Sequence, residues 1–533
     1  GFRRFLPRHP AGWWLLAVMG LGLVLDVTGI GWGLPSHRGW APDEIVPEFV
    51  LDALAHRFAR GWFDIYPLTQ YVLLGALYLP VMFVARLASI PADHLGLLTA
   101  FFLINRVVSV AFGVATLGVV YLCGRELFDR HAGVAAALIV ALMPQWVYYS
   151  KLANVDVPCL FWFLLSMYFF LRLIRTRRSR DLYWLAATAA LSVATKDQAY
   201  AFYVLTAVAV GVVVFRPHAP GQAPASTTVW RGIRQIALAA AIAAGVFALG
   251  HNLLLNWRGF VAHVRFITGP ASDYRHFAAT WSGNAAMLWE AVRQVRWSLG
   301  WPAAALCVVG LIQELRHSLR NRAFLLLLPV VSYYIFLIAI VGYLFDRFLL
   351  GACLVLALFG GKLAADLTAA GRPWRRPVAA VLAVACAFAI LNAASVDALM
   401  LNDSRYALER WLQEHVPPGQ VLASVGRWEG LPRPEIVGSV LLKARAEDLS
   451  RVRPDFLVIN REYLCRFDPG KPERALFQAL ADGRLGYERV FQVKTTIWWA
   501  VLAYEPAMSG PCEDPFTNLD KINPAMEVYR RLR

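Results

Sequence analysis

Long apolar runs broken by short arginine-rich breaks dominate the first three quarters of the chain. Trp13 to Ile30, Phe102 to Cys123, Phe324 to Leu344 and Val378 to Ala394 approach or exceed the ~18–20 residues that a helix needs to cross hydrocarbon. The pattern predicts spanning helices near 12–31, 101–123, 132–150, 157–174, 182–196, 199–215, 233–254, 298–314, 323–343, 348–366 and 377–396, eleven crossings in all. One further apolar segment, Tyr71 to Leu87, would invert every later loop if counted. It is read as an interfacial or re-entrant helix, with a true twelfth span as the alternative.

Arginine placement sets the orientation. Clusters at Arg3–Arg8, Arg125–Arg130, Arg172–Arg180, Arg216–Arg234, Arg316–Arg322 and Arg372–Arg376 mark the cytoplasmic side, each separated from the next by two crossings. Arg3, Arg4 and Arg8 ahead of the first apolar run read as a retained signal anchor, with no small-x-small cleavage site after it. External segments are then about 32–100, 151–156, the break at Lys196 to Gln198, about 255–297, Phe345 to Arg347, and everything after about 397.

Composition agrees: 58% of residues are hydrophobic, 17% are charged and the mean hydropathy is +0.49, values foreign to a soluble protein. The net charge of +16 would suggest nucleic acid in a soluble domain. Here much of the basic excess lies in short loops between apolar runs, where orientation explains it, so no nucleic-acid partner is expected.

From Asp403 the composition turns polar. Tyr406 to His415 reads as a helix, Pro417-Pro418-Gly419 as a turn, and Val421 to Val425 and Phe456 to Ile459 as strands. The expected organisation is an all-α multi-spanning domain over 1–400, with loop helices in 32–100, followed by a C-terminal soluble α/β domain over 401–533. Five cysteines (Cys123, Cys159, Cys307, Cys353, Cys386) fall in or beside membrane helices as small apolar residues. Cys465 and Cys512 fall in the external domain, where an oxidising compartment would permit a disulfide between them and spacing alone leaves two free thiols equally open.

Ionisable residues at the external breaks are the candidates for chemistry. Asp43 and Glu44 are paired acids able to take a proton from an acceptor or to hold a divalent ion; the plainer alternative is that Asp43 caps a helix over Ile45 to Phe58. Asp156 stands where two helices meet and could equally be a cap. Lys196-Asp197 interrupts an apolar stretch, as a phosphate contact or as an internal salt bridge. Arg347 follows the same logic between two helices, with interfacial snorkelling as its alternative. The loop holding His263, Arg265, Asp273, Arg275 and His276 adds basic groups, and there is no HExxH, CxxC or EF-hand spacing.

In this order and on one face, these residues resemble the GT-C superfamily of integral-membrane glycosyltransferases, in particular the family of protein O-mannosyltransferases and lipid A aminoarabinose transferases. Asp43-Glu44 match its first-loop acidic motif, and Tyr148-Tyr149-Ser150-Lys151-Leu152-Ala153-Asn154-Val155-Asp156 is similar to its second. Ala194-Thr195-Lys196 resembles its Leu-Thr-Lys segment, Asp346-Arg347-Phe348-Leu349 its Arg-Tyr-x-Leu segment, and Asp403-Ser404-Arg405-Tyr406 with Val416-Pro417-Pro418-Gly419 the start of the external domain of bacterial members. The chain departs from the family at Ile65-Tyr66-Pro67-Leu68 and at Lys196-Asp197-Gln198, which weakens any metal or phosphate role borrowed from those positions.

The resemblance implies an inverting glycosyltransferase of the bacterial inner membrane that moves a sugar from a polyprenyl phosphate donor to a lipid, glycan or protein acceptor on the periplasmic side. It implies Asp43 as general base, Glu44 and Asp156 as orienting or charge-stabilising groups, and Lys196 and Arg347, joined by Arg265 and His263, as donor-phosphate contacts, with a divalent metal left open. A lipid-linked sugar transporter or flippase is the rival reading, because helices broken by charges also mark transport sites; internal repeats, usual in transporters, are not found.

Overall fold

The computed structural model describes residues 9–58, 66–216, 225–269, 275–317, 322–369, 374–442, 446–462, 472–503 and 516–532. Asp273, Cys465 and Cys512 lie outside the described residues. The chain divides into two compact units, one of residues 1–27, 45–92 and 101–390, the other of residues 28–44, 93–100 and 391–533.

The first unit is helical. In chain order its elements include α1 (Pro10–Val27), α2 (Pro47–Ala55), α3 (Thr69–Leu87), α4 (Leu95–Leu127), α5 (Arg130–Ala141), α6 (Pro144–Ser150), α7 (Asp156–Thr176) and α8 (Ser179–Thr195). A 3-10 turn, Asp197–Phe202, leads into α9 (Val204–Phe215), α10 (Ala225–Gly250), α11 (Trp257–Thr268), α12 (Trp281–Leu299) and α13 (Trp301–His317). Next come α14 (Leu327–Tyr333), a π-helical segment Tyr334–Ile338, α15 (Ala339–Val341), α16 (Asp346–Leu367) and α17 (Arg375–Leu401); residues 95–100 of α4 and 391–401 of α17 fall in the second unit.

Among the described residues eight helices are long and apolar enough to cross a membrane, and up to ten if two bent pairs each count as one span. This is a multi-pass membrane protein. The eleven predicted segments all contain helix, but several are interrupted. The segment read as one crossing over 132–150 bends by 72° between α5 and α6, because Pro144 at the first position of α6 has no N–H with which to continue the α5 ladder. Between α12 and α13 the chain turns by 116° at Gly300, whose φ of 72° suits a residue without a Cβ. The six-residue 3-10 turn, Asp197–Phe202, overlaps the start of the segment read as 199–215, which leaves 12 residues in α9. The α3 helix meets the length and apolarity of a span, as the alternative reading of Tyr71 to Leu87 held.

Helix α16 lies at the centre of the unit and packs on α5, α13 and α12. Small residues permit the close approach: a Cβ at Gly361 would fall 2.5 Å from the Ala132 carbonyl oxygen of α5. The cysteines Cys123, Cys159, Cys307 and Cys353 are buried as free thiols, and Cys386 is half-buried.

The second unit is built on a five-stranded sheet of order β2-β1-β3-β5-β4, with β1 (Leu422–Val425), β2 (Val440–Leu442), β3 (Phe456–Asn460), β4 (Tyr487–Val493) and β5 (Met526–Arg531). β1 pairs in parallel with β2 and β3, whereas β5 runs antiparallel to β3 and β4. Every residue of β3 is buried. Its alternation divides two cores: Leu457 and Ile459 pack with Leu476, Phe477 and Leu480 on one face, and Phe456 and Val458 with Leu408 and Leu412 on the other. This is the small α/β domain that the polar tail predicted, with strands and the Ser404–His415 helix where they were expected.

Residues 28–44 belong to this unit. Trp32 Nε1 donates to Asp403 Oδ2 at 2.9 Å and the Gly33 amide donates to the Tyr406 hydroxyl at 3.0 Å. Arg405 and Asp403 form a bidentate pair, 2.6 and 2.8 Å, with neither side chain exposed at all. The Arg405 guanidinium lies 3.9 Å from the Trp40 ring centroid. Arg433 bonds Glu409 and the Leu34 carbonyl; burial, the largest single influence, pulls its pKa down, but the Glu409 hydrogen bonds and charge outweigh it and hold the guanidinium above its usual value. Replacing Arg405 by Met strands the Asp403 carboxylate in the interior. The variant is expected to lose about 3–5 kcal/mol of stability in this unit, read as a lower melting temperature of the purified protein.

Candidate active site

Three helix ends of the first unit converge. Helix α7 starts at Asp156, α8 stops at Thr195 and α16 starts at Asp346. Lys196 leaves α8 in an extended conformation (φ −150°, ψ 115°), which aims its side chain away from the helix face. Its Nζ donates to Asp156 Oδ1 at 2.5 Å, and the two side chains are 8% and 5% exposed.

This partnership answers two of the open alternatives. Asp156 is the first residue of α7 and makes no side-chain cap; its carboxylate turns to Lys196 instead. Lys196 forms an internal salt bridge, as its alternative reading had it, with Asp156 and not with its neighbour Asp197, whose oxygens are taken by His251 and His263 at 3.1 and 3.0 Å. The N-terminus of α7 adds a favourable partial charge for the Asp156 carboxylate. The second oxygen, Asp156 Oδ2, is buried with no hydrogen-bond partner among the described residues. An orphaned acceptor of this kind costs ~1–3 kcal/mol unless a ligand or water meets it.

Arg347 joins the pair through an aromatic platform. Lys196 Nζ lies 5.5 Å from the Phe348 ring centroid and the Arg347 guanidinium 5.8 Å from the same centroid, with Phe345 at 5.4 Å. Asp346, wholly buried, accepts from the Tyr149 hydroxyl and from the Arg347 amide, both at 2.7 Å, so α6 and the start of α16 are tied together beside Arg347. A stack of Phe163, Phe202 and Tyr333, centroids 4.1 Å apart in each step, walls the region. Two cations close to one aromatic ring, and a buried carboxylate oxygen with no hydrogen-bond partner among the described residues, are groups that can hold a phosphate and receive a hydroxyl.

The first-loop acids belong to the second unit. Asp43 is half-buried with φ 62°, and Glu44 is 8% exposed. Helix α2 begins at Pro47 after Val46, so Asp43 is not its cap. Ile45, the next residue of the chain, donates its amide to the Ala153 carbonyl at 2.7 Å and accepts from Asn105 Nδ2 at 2.9 Å.

His263 and Arg265 do not act together: His263 is buried on Asp197, whereas Arg265, two positions on along α11 and so on another face, is exposed. Among the described residues no group of three or more His, Cys, Asp or Glu side chains is placed to hold a metal ion. Sequence reasoning assigned no role to Tyr149, Asp346 or His251, and it read His263 as a phosphate contact where the structure places it on Asp197. The signal was available, since Asp346 and Asp197 are acids inside apolar stretches, where an ionisable group normally has a partner; which partner it has is a tertiary fact.

Residues 98–247 match the family profile described as dolichyl-phosphate-mannose-protein mannosyltransferase. ArnT from Cupriavidus metallidurans bound to undecaprenyl phosphate has the same fold, with a TM-score of 0.51, 13% identity and 98% of each chain covered. The chain has the GT-C fold. Archaeal oligosaccharyltransferase AglB from Archaeoglobus fulgidus, in complex with an inhibitory peptide and a dolichol-phosphate, is also similar, with a TM-score of 0.46, 12% identity and coverage of 97% of this chain and 88% of that one. No curated protein matches in sequence. The profile match in this GT-C chain runs through α4 to α10 and so contains both Asp156 and Lys196.

The Lys196–Asp156 contact predicts its own energetics. Lys196→Met and Asp156→Leu are each expected to cost about 3–5 kcal/mol, because each leaves one buried charge unpaired, whereas the double variant should melt above either single one. Thermal melts of the four proteins in one detergent close the cycle, and strictly additive losses would show that the two groups do not interact.

Proposed function

We propose that this chain is a glycosyltransferase that transfers a sugar from a polyprenyl phosphate donor to an acceptor hydroxyl or amine, with inversion, on the external (periplasmic) side of a bacterial inner membrane. The observation that carries the reading is the placing of Lys196 and Arg347 at 5.5 and 5.8 Å from the Phe348 ring centroid, with Lys196 bonded to Asp156. A monophosphate leaving group gathers negative charge as the glycosidic bond breaks, and two cations in a low-dielectric site stabilise that charge. The lipid tail stays among apolar helices while the phosphate reaches these cations. Asp156 Oδ2 is the acceptor for a sugar hydroxyl.

The reaction balances in one displacement. The acceptor oxygen or nitrogen attacks the anomeric carbon from the side opposite the phosphate, the carbon–oxygen bond to phosphate breaks with its electron pair going to the phosphate, and the acceptor proton passes to a base. Asp43 is assigned as that base on its place in the paired acids of the first loop. Glu44 orients it. The acceptor is a membrane lipid, a glycan or a protein.

Lys196→Ala and Arg347→Ala should each weaken donor binding by about 10- to 100-fold, the equivalent of ~1.5–3 kcal/mol for a hydrogen bond to a charged group. Isothermal binding of labelled polyprenyl phosphate sugars checks this, and parental affinity in both variants would remove the two residues from the phosphate site.

Asp43→Asn keeps the side chain's size but not its ability to take a proton. Turnover should fall by about 100- to 10,000-fold while donor binding persists, in a variant that elutes and melts like the parent. Glu44→Gln should be milder; an equal loss, together with sensitivity of the parent to a chelator, would assign the two acids to a shared divalent ion. Transfer by Asp43→Asn at near the parental rate would pass the role of base to Asp156.

A further inference from the structure

Asp197 stands beside Lys196 in the chain, yet its carboxylate faces the other way. Oδ1 lies 3.1 Å from His251 Nε2 and Oδ2 lies 3.0 Å from His263 Nε2, and neither imidazole is exposed. The two histidines come from different elements, His251 from the turn after α10 and His263 from α11, so one carboxylate ties the 3-10 turn to both. His251 stacks on Phe247 at 3.8 Å and meets Phe260 edge-on at 5.8 Å, which fixes its ring plane.

The protons of this cluster follow from its geometry. His251 Nδ1 is 3.0 Å from the Phe247 carbonyl oxygen, which can only accept, so Nδ1 carries a proton. Nε2 then faces a second acceptor, Asp197 Oδ1. Both contacts are bonds only if the ring is an imidazolium or Asp197 is protonated; a neutral ring against a carboxylate would set two lone pairs together. His251 and His263 thus both face the Asp197 carboxylate.

This bears on Lys196 in two ways. Lys196 is extended and Asp197 opens the 3-10 turn, so the clamp on Asp197 anchors the backbone next to the residue whose side chain reaches Asp156 and Phe348. Occupying both Asp197 oxygens also removes the carboxylate nearest in the chain as a competitor for the Lys196 ammonium. We propose that Asp197, clamped by His251 and His263, is a positioning residue that holds Lys196 in the donor-phosphate site. This rests on the phosphate role of Lys196 given above.

The test uses the whole protein in detergent and undecaprenyl phosphate as the probe, since that lipid presents the phosphate without requiring the sugar to be known. Its dissociation constant is measured for the parent, Lys196→Ala, Asp197→Ala, Asp197→Asn and His263→Ala, with melting temperatures alongside. Asp197→Ala should bind about 10-fold more weakly or worse, approaching Lys196→Ala, and His263→Ala about 3- to 10-fold more weakly. Asp197→Asn should stay within about 3-fold of the parent, because its amide can donate to His251 Nε2 and its carbonyl can accept from His263 with both rings neutral. A merely structural carboxylate would not show that split between Ala and Asn at equal melting temperature. Parental affinity in Asp197→Ala with a loss in Lys196→Ala would overturn the positioning role and leave the phosphate reading standing. Parental affinity in Lys196→Ala would overturn both. An Asn variant as weak as the Ala variant while melting like the parent would also overturn it, as would parental affinity in His263→Ala should Asp197→Ala fail to fold.

Discussion

A buried ammonium and a buried carboxylate, Lys196 and Asp156, hold each other 2.5 Å apart where two helix ends meet in the first unit. Neither charge could be kept at that depth alone, since an isolated ion would neutralise or draw in water. The pair dictates its surroundings. It requires α8 to stop at Thr195 so that Lys196 can leave the helix, and α7 to begin at Asp156 so that the carboxylate gains a helix N-terminus. A continuous helix through either point would still have the same residues and would not bring them together.

Broken helices are thus the means by which an apolar bundle presents polar groups. Backbone N–H and C=O groups freed at a break need partners inside the protein, so breaks occur where side chains or polar cavities can supply them. In this chain the breaks at 151–155, 196–203 and 342–345 have Tyr149, Asp156, Lys196 and Asp346 standing at or beside them. The geometry suits a charged headgroup whose tail must remain among apolar helices. Asp156 Oδ2 is buried there with no hydrogen-bond partner among the described residues.

The second unit solves a different problem with related chemistry. Its two cores on either side of β3 are ordinary apolar packing, but the segment 28–44 is bound by indole, phenol and guanidinium groups: Trp32 on Asp403, Trp40 under Arg405, Gly33 on Tyr406. A fully buried Arg405–Asp403 pair is costly to desolvate and gains little over an apolar pair of the same shape. It does provide direction, because a bidentate guanidinium over an indole face accepts one orientation of the loop. Asp43 and Glu44 lie at the end of the segment fixed in this way.

The sequence by itself determined the class of solvent, most of the helices and the place of the polar domain, because apolar runs of bilayer length and the change of composition at Asp403 are one-dimensional properties. It also singled out Asp156, Lys196 and Arg347, since a charge inside an apolar stretch is conspicuous whatever surrounds it. Tertiary structure alone decided the pairings. Lys196 is bonded to Asp156, 40 positions away, and not to the adjacent Asp197; His263 faces Asp197; Asp346 joins Tyr149, 197 positions distant. Side-chain partners across a bundle are set by where helices end and how they cross, and hydropathy, which locates helices to within a few residues, carries no record of either angle or partner.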